Sequence, residues 1–257
     1  MIANPNFVAF KSILHKEISR YTRIWVQTLL PPAITMTLYF VIFGNLIGSR
    51  IGTMGGYTYM EYIVPGLIMM SVITNSYSNV VSSFFSAKFQ RSIEEMMVAP
   101  VPNAVILSGY VIGGVSRGML TGIIVTTVST FFVDIQINNI FIVFGVVIMT
   151  SIMFALAGFV NAVFAKSFDD ISIVPTFILT PMTYLGGVFY SIALLPEFWQ
   201  KASMINPILY MVNAFRYGFL GTSDIDITVA ISLIAVFIVI LASVAMYLLN
   251  KGIGLRS

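Results

Sequence analysis

FFSAKFQRSIEEMMVAPVP, residues Phe84 to Pro102, is a charged island between two long apolar runs, and the placement of the rest of the chain follows from how it is read. Phe85, Phe89, Ile93 and Met96 or Met97 recur at spacings of three and four, which puts them on one helical face, with Lys88, Arg91, Glu94 and Glu95 elsewhere on the cylinder. Pro100 and Pro102 stop the helix, because neither has an N–H to continue the ladder. The pattern predicts a short cytoplasmic helix. Two readings of it stand side by side: a helix with something to touch outside the bilayer, or a solvated loop that follows the positive-inside rule.

The flanking composition sets the class. Of 257 residues 58% are hydrophobic and 9% are charged, against roughly 25% charged in a soluble domain. The expected fold class is an all-α polytopic membrane protein. The net charge of +3 does not point to nucleic acid, since the basic residues sit in short segments beside apolar runs and form no continuous patch. The absence of cysteine excludes disulfides and thiolate metal sites, and the single histidine, His15, argues against a histidine-ligated metal or a Ser/His pair.

Working outward, six runs are long enough to cross a core that takes about 20 helical residues. They are 24–47, 62–84, 105–133, 140–164, 171–193 and 228–250. Before them, Asn4 and Pro5 are a helix-opening pair, and Phe7, Phe10, Leu14, Ile18 and Tyr21 follow at helical spacing, with Lys11, His15, Lys16, Ser19, Arg20 and Arg23 largely off that face. This predicts an amphipathic helix over residues 1–23 lying in the membrane interface, its cations toward anionic lipid headgroups. With no linker and no internal repeat, residues 1–257 read as one domain.

Nine of the 13 Lys and Arg residues fall in the opening segment, the 84–104 loop, the 165–170 loop and the tail. Three, Arg50, Lys201 and Arg216, fall on the opposite side, so both termini are expected in the cytoplasm. Arg117 remains inside the third span. A central arginine costs roughly 2.5–3.5 kcal/mol on insertion scales, so it either faces protein or water, with backbone carbonyls, Asn161 or a lipid-like headgroup as partner, or snorkels to the headgroups. Gly114, Gly118 and Gly122, with Gly109 and Gly113, give small-xxx-small spacings that let another helix approach.

Residues 194–221, LLPEFWQKASMINPILYMVNAFRYGFLG, are apolar but broken by Pro196 and Pro207 into pieces too short to span. Two outer re-entrant or interfacial helices are expected, with Asn206 capping the second and Pro207 at its first position. Leu209, Val212, Phe215 and Phe219 form its apolar stripe, and Asn213 and Arg216 lie beside it on a side that would meet water or substrate. Trp199, Tyr210 and Tyr217 fit either an aromatic belt or a lid over a substrate exit.

The sequence holds no GxxxxGK[ST], HExxH or GxSxG, and its extramembrane segments are too short for a catalytic domain. Clear mid-span carboxylates are also missing, which disfavours an ion-coupled secondary transporter or channel. A membrane-embedded enzyme lacks a nucleophile and base at plausible spacing.

In RIWVQTLLPPAITMTLYFVIFGNLIGSRIG (Arg23 to Gly52), YIVPGLIMMSVITN (Tyr62 to Asn75), the charged island itself, FAKSFDDISIVPTFILTPMTYLGGVFYS (Phe164 to Ser191) and NPILYMVNAFRYGFLG (Asn206 to Gly221), the chain resembles, nearly end to end, the ABC-2 type permeases of bacterial inner membranes. Methionine in EEMM, where leucine is common, is a mild departure. The resemblance implies the transport subunit of an ATP-driven exporter, with no catalytic site of its own and no cofactor on this chain. ATP and Mg would be bound by a separate ATP-binding cassette ATPase subunit, and two permeases would pair as a homodimer. It assigns contact with the ATPase to the opening helix, including Lys16 and Arg20, and to a coupling helix after the second span, including Lys88, Arg91, Glu94 and Glu95. It assigns packing or translocation to Arg117, Gly114, Gly118 and Gly122, and an outer re-entrant gate to Pro196, Trp199, Asn206, Pro207, Asn213 and Arg216. The substrate, whether lipid-like, glycan or drug, stays open.

Overall fold

Asn4 opens the first helix by accepting the Asn6 N–H on its side-chain oxygen at 3.0 Å, with Pro5 at the first helical position. The computed structural model describes residues 4–254, so Arg256, counted above with the tail, lies outside the described residues. Helix α1 (Pro5–Arg23) leads into α2 (Trp25–Thr28), α3 (Leu30–Tyr39), a π-helical stretch (Phe40–Gly48) and a single turn, α4 (Ser49–Ile51). Pro31 and Pro32 withdraw two N–H donors from the ladder between α2 and α3. The carbonyl of Thr28, four residues before Pro32, is thereby left for another donor.

Gly55 and Gly56, at φ of 61° and 87°, make the two-residue turn between β1 (Thr53–Met54) and β2 (Tyr57–Thr58). Thr58 and Glu61 then form a reciprocal capping box at the head of α5 (Tyr59–Phe89). After α5 come α6 (Ser92–Val98), α7 (Asn103–Ser129) and α8 (Ile140–Phe164), the last capped by Asn139 accepting the Phe141 and Ile142 N–H groups. Next are α9 (Asp170–Val174), a π-helical turn (Pro175–Leu179), α10 (Thr180–Tyr184) and a 3₁₀ turn (Ile192–Leu194). The chain finishes with α11 (Glu197–Met204), α12 (Pro207–Leu220) and α13 (Ile227–Lys251).

Among the described residues, four helices are long and apolar enough to cross a membrane: Trp25–Gly44, Asn103–Ser129, Ile140–Phe164 and Ile227–Lys251. Helix α5, the expected second span, has 31 residues and so rises about 46 Å. It is diluted by Ser71, Asn75, Ser76, Asn79 and Ser83, all of them buried. Those polar groups are tolerated because α5 stands in the middle of the bundle, packed by α7, α8 and α12. Phe84 shows this centrality: it is fully buried, with its ring 4.2 Å from Phe159 and edge-on to Tyr110 at 5.2 Å.

The expected fifth span, 171–193, differs most. It is helical only over 170–184, in three pieces, because Pro175 and Pro181 interrupt the ladder and Gly187 turns the chain at φ 69°. Fifteen helical residues rise about 22 Å, short of the roughly 30 Å hydrocarbon core. The segment still runs the length of the bundle. At one end Phe168 packs on Phe85 and Phe89 at 4.9 and 5.2 Å, and at the other Phe189 accepts a hydrogen bond from Tyr59 Oη at 3.2 Å. There the Phe189 ring also meets those of Phe43, Tyr39 and Tyr184, at centroid distances of 5.1, 5.7 and 5.8 Å.

The first of these ends gathers α6, the 165–169 loop and the end of α13, tied by Asn103 Nδ2 donating to Asn250 Oδ1 at 2.9 Å. The second gathers the hairpin, the 130–139 loop and the turn after α12, where the Asn138 N–H donates to Phe219 O at 3.0 Å and Ser191 Oγ to Asp224 Oδ1 at 2.8 Å.

Candidate functional site

Helix α1 turns one narrow side to the bundle. Its buried residues are Ile13, Glu17 and Tyr21, while Phe7 is 62% exposed and Phe10, Leu14 and Ile18 are half-buried. The reason lies on α7. A Cβ at Gly109 would strike the Ile13 side chain, one at Gly113 would stand 2.6 Å from Glu17 Cβ, and Tyr21 Oη meets Ser116 Oγ at 3.2 Å. Residues 13, 17 and 21 thus meet 109, 113 and 116 in the same order, so α1 runs alongside the first half of α7 in a glycine-floored groove.

Glu17 is completely buried in that groove. One carboxylate oxygen accepts from Ser83 Oγ, the other accepts from Asn79 Nδ2 at 3.3 Å and lies 3.5 Å from Arg20 Nη2. Arg20 in turn donates to Asn79 Oδ1 at 2.8 Å, to Asn79 O at 2.9 Å and to Ser82 Oγ at 3.4 Å. Asn79 therefore uses both ends of its amide to hold the pair. Burial raises the Glu17 carboxyl above its ordinary value, and this outweighs the lowering effects of Arg20, the Ser83 hydrogen bond and Lys16. Glu17 was absent from the residues singled out in the sequence. Its signal is the pairing of an acidic residue with Asn79 and Gly113, which lie far away in the chain.

One turn along α5, Asn75 Oδ1 accepts from Arg117 Nη2 at 2.9 Å, and the same nitrogen donates to Thr28 O at 3.3 Å. The latter is the carbonyl freed by Pro32. Arg117 is thus buried among α2, α5 and α7 rather than turned to lipid. Asn161, one of its expected partners, donates instead to Tyr77 Oη at 2.7 Å. Gly114, Gly118 and Gly122 lie beneath α5: a Cβ at Gly114 would come 2.7 Å from Val80, one at Gly118 would strike Ser76, and one at Gly122 would come 3.0 Å from Val72. Two glycine rows on α7 therefore seat α1 and α5, and the polar residues run where the three helices meet.

The residues expected to contact an ATPase divide. Lys16, Glu94 and Glu95 are exposed, and Ile93 anchors α6 by being fully buried. Arg20 is turned inward, with its side chain 25% exposed. Lys88 donates to Val163 O at 2.6 Å and Ala165 O at 2.8 Å, closing the carboxyl end of α8. Arg91 sits at the joint between α5 and α6 with φ 60°, a left-handed conformation for a residue other than glycine.

At the far end, Asn206 accepts the Ile208 N–H at 3.0 Å and Pro207 begins α12, while Pro196 precedes α11. Asn213 and Arg216, expected on a side that meets water or substrate, are instead buried. Arg216 stands 4.0 Å over the Tyr62 ring and donates to Gly187 O at 2.6 Å and Tyr62 O at 3.3 Å. Asn213 Oδ1 accepts the Asp224 N–H at 3.0 Å. Both residues fall inward because α12 is packed between α5, α8 and α13 and has no free long side. The exposed part of the region is α11, with Phe198 at 73% and Trp199 at 46%.

No group of three or more metal-ligating side chains occurs among the described residues. The arrangement is one of packing and charge: buried cations held by carbonyls and amides, and one carboxylate, at the meeting of helices that join the two ends of the bundle.

Comparison with known proteins bears on the same architecture. The ABC-2 type transporter family matches residues 8–220. The chain is 61% identical over 251 residues, 98% of its own length and 98% of the relative, to the inner membrane transport permease YadH of Escherichia coli (strain K12), and equally to the protein of that name from Shigella flexneri. It is 23% identical over 215 residues, 83% of this chain and 82% of the relative, to nodulation protein J of Neorhizobium galegae. A match over most of the chain, to a bundle whose apolar helices suit a membrane, means that this protein belongs to the ABC-2 type transporter family, as a multi-pass transport permease of the inner membrane.

Proposed function

We infer that this chain is the permease subunit of an ATP-driven exporter, with ATP hydrolysed on a separate subunit and two permeases pairing around the path. The observation that carries the reading is that α1 and α6 meet the same end of the bundle, and that α1 is fastened to α5 and α7 through the Glu17, Arg20 and Asn79 cluster. A push on either short helix at that end reaches the central helix directly. Closure of the ATPase subunits would then tilt α5 and α7 and open the path to one side or the other.

The charge bias supports a cytoplasmic location for that end and for both termini. In this reading the chain crosses six times, α5 and the composite segment 170–191 supplying the second and fifth crossings. The substrate class is unidentified, with amphipathic, lipid-like, glycan and drug molecules all suited to a path lined by apolar helices.

The test is assembly and hydrolysis. The chain is purified with the ATPase that accompanies it, and Arg91, Glu94 and Glu95 are replaced together by alanine. One exposed charge contributes only about 0–1 kcal/mol, so single changes are mild, whereas the triple variant loses complex formation or substrate-stimulated hydrolysis. Wild-type behaviour of the triple variant would return α6 to a solvated loop.

A further inference from the structure

Between the end of α5 and the end of α8 lies a cavity of about 490 Å³. Lys88 and Arg91 line one side and Lys166 the other, with Phe85, Phe89 and Phe164 as its apolar walls. Among the described residues no carboxylate lines it. Asp170, four residues beyond Lys166, spends an oxygen on the Lys166 and Ser167 N–H groups at 2.8 and 3.0 Å. The Lys88 ammonium is held by two carbonyls of the α8 terminus, which fix its position without cancelling its charge. Three cations therefore line the cavity with no carboxylate among its described lining residues, at a volume inside the usual range of about 300–1,000 Å³ for ligand pockets.

The walls say what kind of anion fits. Phe89 and Phe164 are 64% and 58% exposed, and both stand at the ends of long apolar helices, so the cavity opens where an apolar surface gives way to charge. A small inorganic anion would leave those rings unused. An acyl chain would lie against them while its phosphodiester meets the cations, the pattern of basic pockets between membrane helices that take lipid headgroups. Arg91, on the rim, is the one residue other than glycine with positive φ among the described residues. Such strain marks places held for a purpose other than local stability.

The geometry points to this cavity as a binding site for the headgroup of an anionic phospholipid of the cytoplasmic leaflet, held by Lys88, Arg91 and Lys166. The lipid titration is read on the permease alone, before any ATPase is added.

The full-length chain, which has no cysteine, receives one by Gln90→Cys at an exposed position beside the cavity, and a bimane fluorophore is attached there. In phosphatidylcholine nanodiscs it is titrated with brominated phosphatidylglycerol or brominated phosphatidylcholine. Saturable quenching by the first and none beyond the bulk level by the second is expected. Lys166→Gln and Arg91→Gln should each weaken the phosphatidylglycerol titration about fivefold, while Lys201→Gln, an exposed cation on α11 at the other end of the bundle, should leave it unchanged. Lys88 is spared because its loss would free the α8 terminus. Equal weakening by the Lys201 control, or no weakening by either cavity variant, would overturn the site. Competition by inorganic phosphate without lipid would overturn the lipid assignment and leave a soluble phosphate site. Displacement of the lipid by the ATPase subunit, with the same loss in Lys166→Gln of ATPase binding and not of lipid, would overturn it in favour of an acidic protein partner.

Discussion

Pro32 has no N–H to give to Thr28, and Arg117 takes the carbonyl that results. At this scale the protein manages its buried charge with amides and carbonyls more than with ion pairs. Replacing Asn75 by leucine removes the shorter of the two contacts to Arg117 and should cost about 1–3 kcal/mol for a buried donor left short of an acceptor. The double variant with Arg117→Leu should recover part of that loss, because no charge then remains buried. Thermal unfolding in detergent reads both, and a double-variant loss equal to the sum of the two single losses would show that the pair does not couple. Arg117→Lys should impair transport more than its conserved charge suggests, since one ammonium cannot reproduce the guanidinium geometry.

Glu17 gives a pH-dependent case. Its folded pKa is raised by burial, so its contribution to stability is full below the unfolded value and is lost as pH rises through the folded value. The melting temperature of wild type relative to Glu17→Gln should therefore fall as pH is raised from the ordinary carboxylate range upward. A difference that is flat in pH would mean that the carboxyl titrates as in water. Glu17→Ala should cost less than the roughly 3–5 kcal/mol of a fully buried broken pair, because Arg20, 25% exposed, can turn to water. Nothing local announces Glu17. Its burial depends on Gly113, almost a hundred residues on, and a helical wheel of residues 5–23 places it among neutral and basic neighbours without that groove.

Among the elements, α11 and α12 read alike in the sequence and differ in the structure. Both are short helices opened by proline, and the break between them at Asn206 and Pro207 was legible because capping chemistry is local. Which of them is buried was not legible, because it depends on the carbonyls of Tyr62 and Gly187 that receive Arg216. Hydrogen exchange separates them: amides of α12 should exchange as slowly as those of α5, while α11 exchanges much faster. Similar exchange in both would revive a lid that moves as one piece. The 84–102 stretch, expected as one short helix, is instead divided: Phe84–Phe89 close α5, the chain turns at Gln90 and Arg91, and α6 begins at Ser92, so Lys88 lies on α5, where the carbonyls it meets come from the α8 terminus.

For the whole molecule, the apolar runs carry their own signal, and four of the six expected boundaries match apolar helices within a few residues. The exceptions are instructive. The second run keeps its polar residues because other helices surround it, and the fifth is divided by Pro175 and Pro181 into short pieces. The placement of the ends is testable in intact cells, because each cysteine introduced is the only one. An impermeant thiol reagent should label position 54 or the exposed position 204 and leave 12, 90 and 254 unlabelled until the membrane is permeabilised. Labelling at 254 in intact cells would reverse the tail.

The two π-helical stretches set how such a bundle can yield. Helix α5 is a continuous 31-residue helix whose one interior proline, Pro65, lies near its head. The loosened ladders at Phe40–Gly48 and Pro175–Leu179 sit in segments that pack little against it, and the aromatic stack of Tyr39, Phe43, Tyr184 and Phe189 joins those segments to each other. Compliance is therefore concentrated in one pair of peripheral segments that must bend together, and a substitution that stiffens either one should immobilise both.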